Sequence, residues 1–237
     1  MTGVQTCALP ISCASVAEKT PKKLKQTVTK ALKKSDYAEI RFDFLNPNAV
    51  PEALHLIGKD LKMCIGTLRP IREGGKFSGN EKNRISIIKL IAEYNPFLLD
   101  IEFNTLRKNK MLQRYLKSTG TDILVSWHSF KHTPNISVMQ RKLSEMKKFS
   151  NNIKMVTMAK TISDGSRILS LYKNSKGVKL IAFSMGNFGR MSRLLCLLLG
   201  SPYTYVSLGQ AVAPGKFSVD ECRSEERRGG KEGRSRR

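Results

Sequence analysis

"TDILVSWHSFKHTPNISVMQRKLSEMKKFSNNIKMVTMAKT" (residues 121–161) decides the fold. Its opening, 122–128, is an almost unbroken apolar run and reads as a strand. Residues 137–149 return apolar side chains at helical spacing, and 153–159 read as a strand again. A strand, a crossover helix and a second strand make a parallel pair. Strands apolar on both faces, such as "ILV" and, further on, "KLIAF", are what a parallel sheet covered on both sides requires.

The same alternation runs outward in both directions. Strands are predicted at 13–17, 37–44, 62–69, 97–103, 178–185 and 203–208. Helices are predicted at 20–35, 51–61, 80–94, 109–118, 164–173 and 190–199. Thr20 and Pro21 mark the start of the first helix. Eight strands alternating with seven helices in roughly 210 residues predict a single-domain α/β protein, a compact (β/α)8 TIM barrel. A doubly wound open sheet is the alternative. It would show a glycine-rich first turn for phosphate, and "ASVAEKT" (14–20) has none.

Composition narrows the function classes. The 237 residues are 40% apolar, enough for a real core, and no apolar run approaches the roughly 18–20 residues of a membrane span. Nothing at the start reads as a signal peptide. Five scattered cysteines without a CxxC pair, and only three histidines, argue against a zinc site or a disulfide framework and for a reducing cytoplasm. The formal charge of +23 can attract phosphate backbones. The lysines, however, are spread along helical segments without interleaved aromatics, the pattern of a solvated surface and no specific nucleic-acid partner.

The two ends differ from the rest. "MTGVQTCALPIS" (1–12) and "RSEERRGGKEGRSRR" (223–237) resemble translated sequencing-adapter DNA and are set aside from fold reasoning. The predicted organisation is a non-native segment at 1–12, a barrel domain at 13–221 and a disordered basic tail at 222–237. The tail carries seven Lys/Arg against three Asp/Glu, which leaves +19 for the remainder. On this reading the barrel lacks part of its first strand and its last helix.

In a (β/α)8 barrel, chemistry sits at the C-terminal ends of the strands. Ionisable residues fall there repeatedly. Glu39 and Arg41 are two apart on strand two, hence on one face. Arg69 ends strand three, Asp100 and Glu102 lie on strand four, His128 ends strand five, and Lys154 lies in strand six. Any one of them could serve a structural ion pair. Five strands converging on one mouth suit a site. There is no metal-ligand cluster and no nucleotide fingerprint. "REGGKFSG" (72–79) lacks the spacing of a phosphate loop. A lysine that forms a Schiff base with a ketone, a histidine that moves protons and arginines that hold an anion make a coherent set. The barrel rule alone favours Lys160, nearer the strand end, over Lys154.

"EIRFD" (39–43), "TLRPIREGG" (67–75), "DIEF" (100–103), "VSWHSFKHTP" (125–134), "IKMVTMAKT" (153–161), "SMGNFGRMSR" (184–193), "LGSPYTY" (199–205) and "APGKFSVDE" (213–221) occur in one order. With these eight motifs the interior, Cys13 to Glu221, resembles the type I 3-dehydroquinate dehydratases. The resemblance implies a (β/α)8 barrel, a homodimer, no cofactor, and loss of water from 3-dehydroquinate to give 3-dehydroshikimate in the shikimate pathway. It assigns the Schiff base to Lys154 rather than Lys160, general acid/base work to His128 rather than His132, and orientation of that histidine to Glu73. It gives substrate contacts to Glu39, Arg41, Arg69 and Arg193, with Ser15 on the first strand. The family's Ser-Ala-Pro-Gly-Gln reads "VAPGK" (212–216) here. Val212 thus lacks a hydroxyl, and Lys216 stands where an amide helps hold substrate. Ser129 replaces the usual aspartate after the histidine. The competing readings are another Schiff-base barrel, an aldolase with its phosphate grip on the "APGK" loop, and a basic nucleic-acid-binding protein without activity.

Overall fold

Strand and helix alternate as the apolar periodicity requires. The structure, a computed structural model, describes residues 11–208 and 217–222. The strands are β1 (Ser12–Val16), β2 (Tyr37–Arg41), β3 (Cys64–Thr67), β4 (Leu98–Glu102), β5 (Ile123–Ser129), β6 (Asn152–Met158), β7 (Lys179–Met185) and β8 (Thr204–Val206). Every ladder is parallel, in the order β7-β6-β5-β4-β3-β2-β1-β8. The sheet curls into a nearly closed (β/α)8 barrel. The β7–β8 seam carries no ladder among the described residues. It is bridged by side chains, with the Phe183 and Tyr205 rings 6.3 Å apart.

The helices are α1 (Pro21–Lys34), α2 (Val50–Ile57), α3 (Glu81–Glu93), α4 (Phe103–Lys108), α5 (Lys110–Thr119), α6 (Ile136–Met146), α7 (Ile162–Leu169) and α8 (Ser192–Leu198). Local chemistry sets their ends. Pro21 opens α1 and Lys33 and Lys34 close it, both favoured by the unpaired backbone groups there. Thr161 and Asp164 form a reciprocal capping box on α7. Gly120, in the left-handed conformation, ends α5.

Several boundaries move from their expected places. β1 starts at Ser12, whose N–H donates to Asp36. β2 stops at Arg41, because residues 42–44 turn into a short 3-10 helix that brings Asp43 back to the Arg41 guanidinium. Lys62 and Met63, expected at the start of strand three, lie in another 3-10 segment, Gly58–Met63. α4 was not anticipated, and Phe103 begins it instead of ending β4.

Two apolar cores result. The larger lies between the outer faces of the strands and the helices, with Leu24, Val28, Ile88, Ile91, Met139 and Leu143 packed on the sheet. The smaller fills the lower barrel and includes Cys13, Ile65, Leu98, Leu124, Ile181 and Tyr203. Above this apolar plug the interior changes character. Barrel interiors are built in layers of four side chains taken from alternate strands. Here the even strands supply Glu39, Asp100, Lys154 and Tyr205, so one layer of the barrel floor is mostly charged. All four are buried.

Candidate active site

The charged layer is organised around Lys154. Its Nζ lies 3.2 Å from Glu39 Oε1 and 3.3 Å from Asp100 Oδ2. The ring of Tyr205 covers a third side, its centroid 4.0 Å from Nζ. The carboxylates are themselves held. Ser15 Oγ donates to Glu39 Oε2 at 2.7 Å, and Ser126 Oγ donates to Asp100 Oδ1 at 2.6 Å. A buried ion pair needs such extra hydrogen bonds, because desolvation of each charge is costly.

Arg69, just beyond the end of β3, is the hub of a second tier. It donates to Asp100 (2.7 Å), Glu102 (3.0 Å) and Ser126 (2.7 Å). Glu102 is shared with Arg84 of α3, whose guanidinium is fully buried and reaches it at 2.8 Å. An ionic chain therefore runs from α3 through Glu102, Arg69 and Asp100 to Lys154.

His128, on β5, overlooks this floor. Its Nδ1 lies 3.8 Å from Glu73 Oε2, too far for a hydrogen bond, and has no hydrogen-bond partner among the described residues. Burial first, then the charge of Arg69, pull the imidazole down to about 3, against the opposing pull of Glu73. The ring is neutral at physiological pH and can accept a proton. Phe130 stacks on it, 5.6 Å between centroids and 10° from parallel.

Glu73 is carried by the glycine-bearing turn that follows Pro70. Those glycines serve close packing. A Cβ on Gly75 would sit 1.9 Å from the Arg69 carbonyl oxygen. Gly74, at φ +75°, would collide with the Phe130 ring. The two glycines let the turn fold against Arg69 and Phe130, which aims Glu73 at His128.

The rim carries two further guanidiniums in unlike states. Arg41 is clamped by both oxygens of Asp43 at 2.8 Å each. Arg193, in α8, is 3% exposed and lies over the Phe183 ring at 4.3 Å. Its Nε has no hydrogen-bond partner, and no carboxylate pairs with it among the described residues. Burial pulls it down to about 10. A buried guanidinium without an anion is costly, and it faces the cavity.

That cavity, about 270 Å³, brings together Lys154, His128, Glu73, Glu39, Arg41, Arg69, Arg193 and Ser15. Val212 and Lys216 lie outside the described residues. Lys160 is exposed and lies two residues past the end of β6, its N–H on Asp164, outside the strand whose end the barrel rule had favoured. His132 is exposed in a loop. Asp43, Ser126, Arg84 and Tyr205 were not picked out from the sequence as site components. Strand parity could have revealed two of them: it turns Tyr205 inward on β8 and puts Ser126 on the same face of β5 as His128.

A neutral imidazole above a buried lysine, with a cation at the rim that has no carboxylate partner among the described residues, at the C-terminal mouth of a (β/α)8 barrel, is an arrangement of the barrel-enzyme class that could do acid–base chemistry on a small anion. Comparison with known proteins makes this specific. Residues 12–225 match the family model for type I 3-dehydroquinase. The 3-dehydroquinate dehydratase of Dehalococcoides mccartyi is 37% identical over 185 residues, 76% of this chain and 81% of that protein. The Methanothermobacter thermautotrophicus enzyme is 34% identical over 215 residues, 89% and 93% of the two chains. Among solved structures, the Aquifex aeolicus 3-dehydroquinate dehydratase has a TM-score of 0.76 at 27% identity, covering 92% of this chain and 98% of that one. The Geobacillus kaustophilus structure shares the fold, with a TM-score of 0.83 at 23% identity, covering 96% and 93%. The chain belongs to the type I 3-dehydroquinase family and is a hydro-lyase of that kind.

Proposed function

We propose that this chain dehydrates 3-dehydroquinate to 3-dehydroshikimate through a Schiff base on Lys154, without a cofactor. The observation that carries the reading is the placement of the Lys154 amine. It is buried between Glu39 and Asp100 on the floor of a mouth whose rim holds Arg193, an arginine without a carboxylate partner among the described residues.

The substrate carboxylate docks on Arg193, which supplies a buried cation with an anion, and Arg41 and Glu39 hold ring hydroxyls. The Lys154 amine attacks the ketone carbon once its proton has passed to a neighbouring base. The carbonyl oxygen leaves as water, and a cationic imine forms. That cation draws electrons from the adjacent carbon. Neutral His128 takes the proton released there, and the resulting imidazolium returns a proton to the departing hydroxyl, which leaves as the water of the net reaction. Hydrolysis of the imine returns the ketone and the free amine. Glu73 orients the ring and stabilises the imidazolium while it carries the proton. Arg69 holds Asp100, and through it the position of Lys154.

We place the enzyme in the shikimate pathway and the cytoplasm, as a homodimer. The four cysteines among the described residues are buried. No helix among those residues is long and apolar enough to cross a membrane. Met191, Leu195, Leu198 and Leu199 form an exposed apolar stripe along α8, a face suited to a second copy. The direct test is the appearance of the conjugated enone on mixing with 3-dehydroquinate. Wild type produces it, and Lys154→Met does not. An equal rate in Lys154→Met would remove the lysine from the reaction.

A further inference from the structure

The layer around Lys154 has four members, and the roles above use three. The fourth, Tyr205, presents the face of its ring to Nζ at 4.0 Å. It is 3% exposed, and burial holds its phenol well above the usual tyrosine range, so the ring stays neutral. Its hydroxyl has no hydrogen-bond partner among the described residues. The ring face is thus the part of Tyr205 in contact with the reacting nitrogen.

Imine formation changes what that nitrogen needs. An ammonium carries three N–H donors and can satisfy Glu39 and Asp100 together. The iminium keeps the positive charge but has one N–H, because two protons have been replaced by the double bond to carbon. One carboxylate must therefore lose its hydrogen bond at the stage when the cation has to persist as the electron sink. An aromatic face attracts a cation through its quadrupole and requires no donor. Its contribution survives the loss of N–H groups.

We infer that Tyr205 is a catalytic residue whose ring face, 4.0 Å from Nζ of Lys154 in the Glu39–Asp100–Lys154–Tyr205 layer, stabilises the cationic imine. The inference rests on the Schiff-base reading and adds a group to it. Removing the hydroxyl leaves the interaction intact, whereas removing or electronically inverting the ring weakens it.

The test is a graded series at position 205 in the full chain: Tyr205→Phe, then phenylalanines bearing one, two and three ring fluorines, then Tyr205→Leu. Fluorination drains the ring face while nearly preserving its shape, and a thermal melt of each variant reports folding. The readouts are kcat/KM and the fraction of Lys154 trapped by borohydride with 3-dehydroquinate. Tyr205→Phe should stay within about twofold of wild type. The fluorinated variants should fall stepwise in both readouts, and Tyr205→Leu should lose about tenfold or more, the scale of a desolvated cation–π contact. A flat fluorine series, with wild type trapped normally, would overturn the role of the ring alone. Folded wild type that fails to trap at all would overturn the Schiff-base reading, and this inference with it.

Discussion

Nδ1 of His128 faces Oε2 of Glu73 across 3.8 Å, close enough for attraction and too far for a hydrogen bond. On the proposed mechanism the carboxylate would steady the imidazolium as it forms without binding the neutral ring tightly. Glu73→Gln should keep the fold and lower kcat, because the protonated ring loses its stabilising charge. The acidic limb of the kcat–pH profile should move downward as well. An unchanged profile would leave Glu73 without a part in the proton transfer.

The depressed His128 also sets a pH dependence of stability. Its ordinary value is 6.5, and burial and Arg69 lower it to about 3 in the folded chain. Between these values the unfolded chain binds a proton that the folded chain does not. The contribution is complete above pH 6.5 and shrinks as pH falls toward 3. At pH 5 the loss is on the order of 2 kcal/mol. Urea titrations at pH 7.5 and pH 5 should show it, and His128→Asn should flatten the difference. Equal slopes in both proteins would assign acid sensitivity to other groups.

Arg193 should separate binding from stability. It is a buried guanidinium with no carboxylate partner among the described residues. Arg193→Met keeps most of the side-chain volume and removes a poorly compensated charge, so its melting temperature should not fall below that of wild type. KM should rise about 10- to 100-fold, the scale of a lost charge-assisted hydrogen bond to a substrate anion. A large loss of stability with unchanged KM would make Arg193 structural.

Gly75 is the most constrained backbone position at the mouth. An added methyl would fall 1.9 Å from the Arg69 carbonyl oxygen. Gly75→Ala must push the Glu73 turn away from Arg69. It should cost about 2 kcal/mol or more in thermal or urea unfolding and reduce kcat together with stability. A neutral substitution here would mean that the turn is free to move.

The barrel was legible because it rests on local periodicity. Apolar runs at the right lengths gave eight strands, and strand parity put Glu39 and Arg41 on one face. Placing Lys154 ahead of Lys160 needed the family motifs, since β6 ends at Met158 and nothing local announces that end. The contacts that define the site join distant segments. Glu39 and Lys154 are 115 residues apart, and Arg69 and Ser126 are 57 apart. No spacing rule along one chain reports such pairs. Asp43 escaped notice because its service to Arg41 depends on a 3-10 turn where a strand was expected. Tyr205 escaped because a buried aromatic reads as core unless its ring is seen against a charge.

The measurement closest to the central claim is reductive trapping. The protein is mixed with 3-dehydroquinate and borohydride, digested, and the adduct mapped by mass spectrometry. A reduced substrate adduct on Lys154, lost in Lys154→Met, is the predicted result. An adduct on Lys160, or none from folded and active protein, would contradict the account.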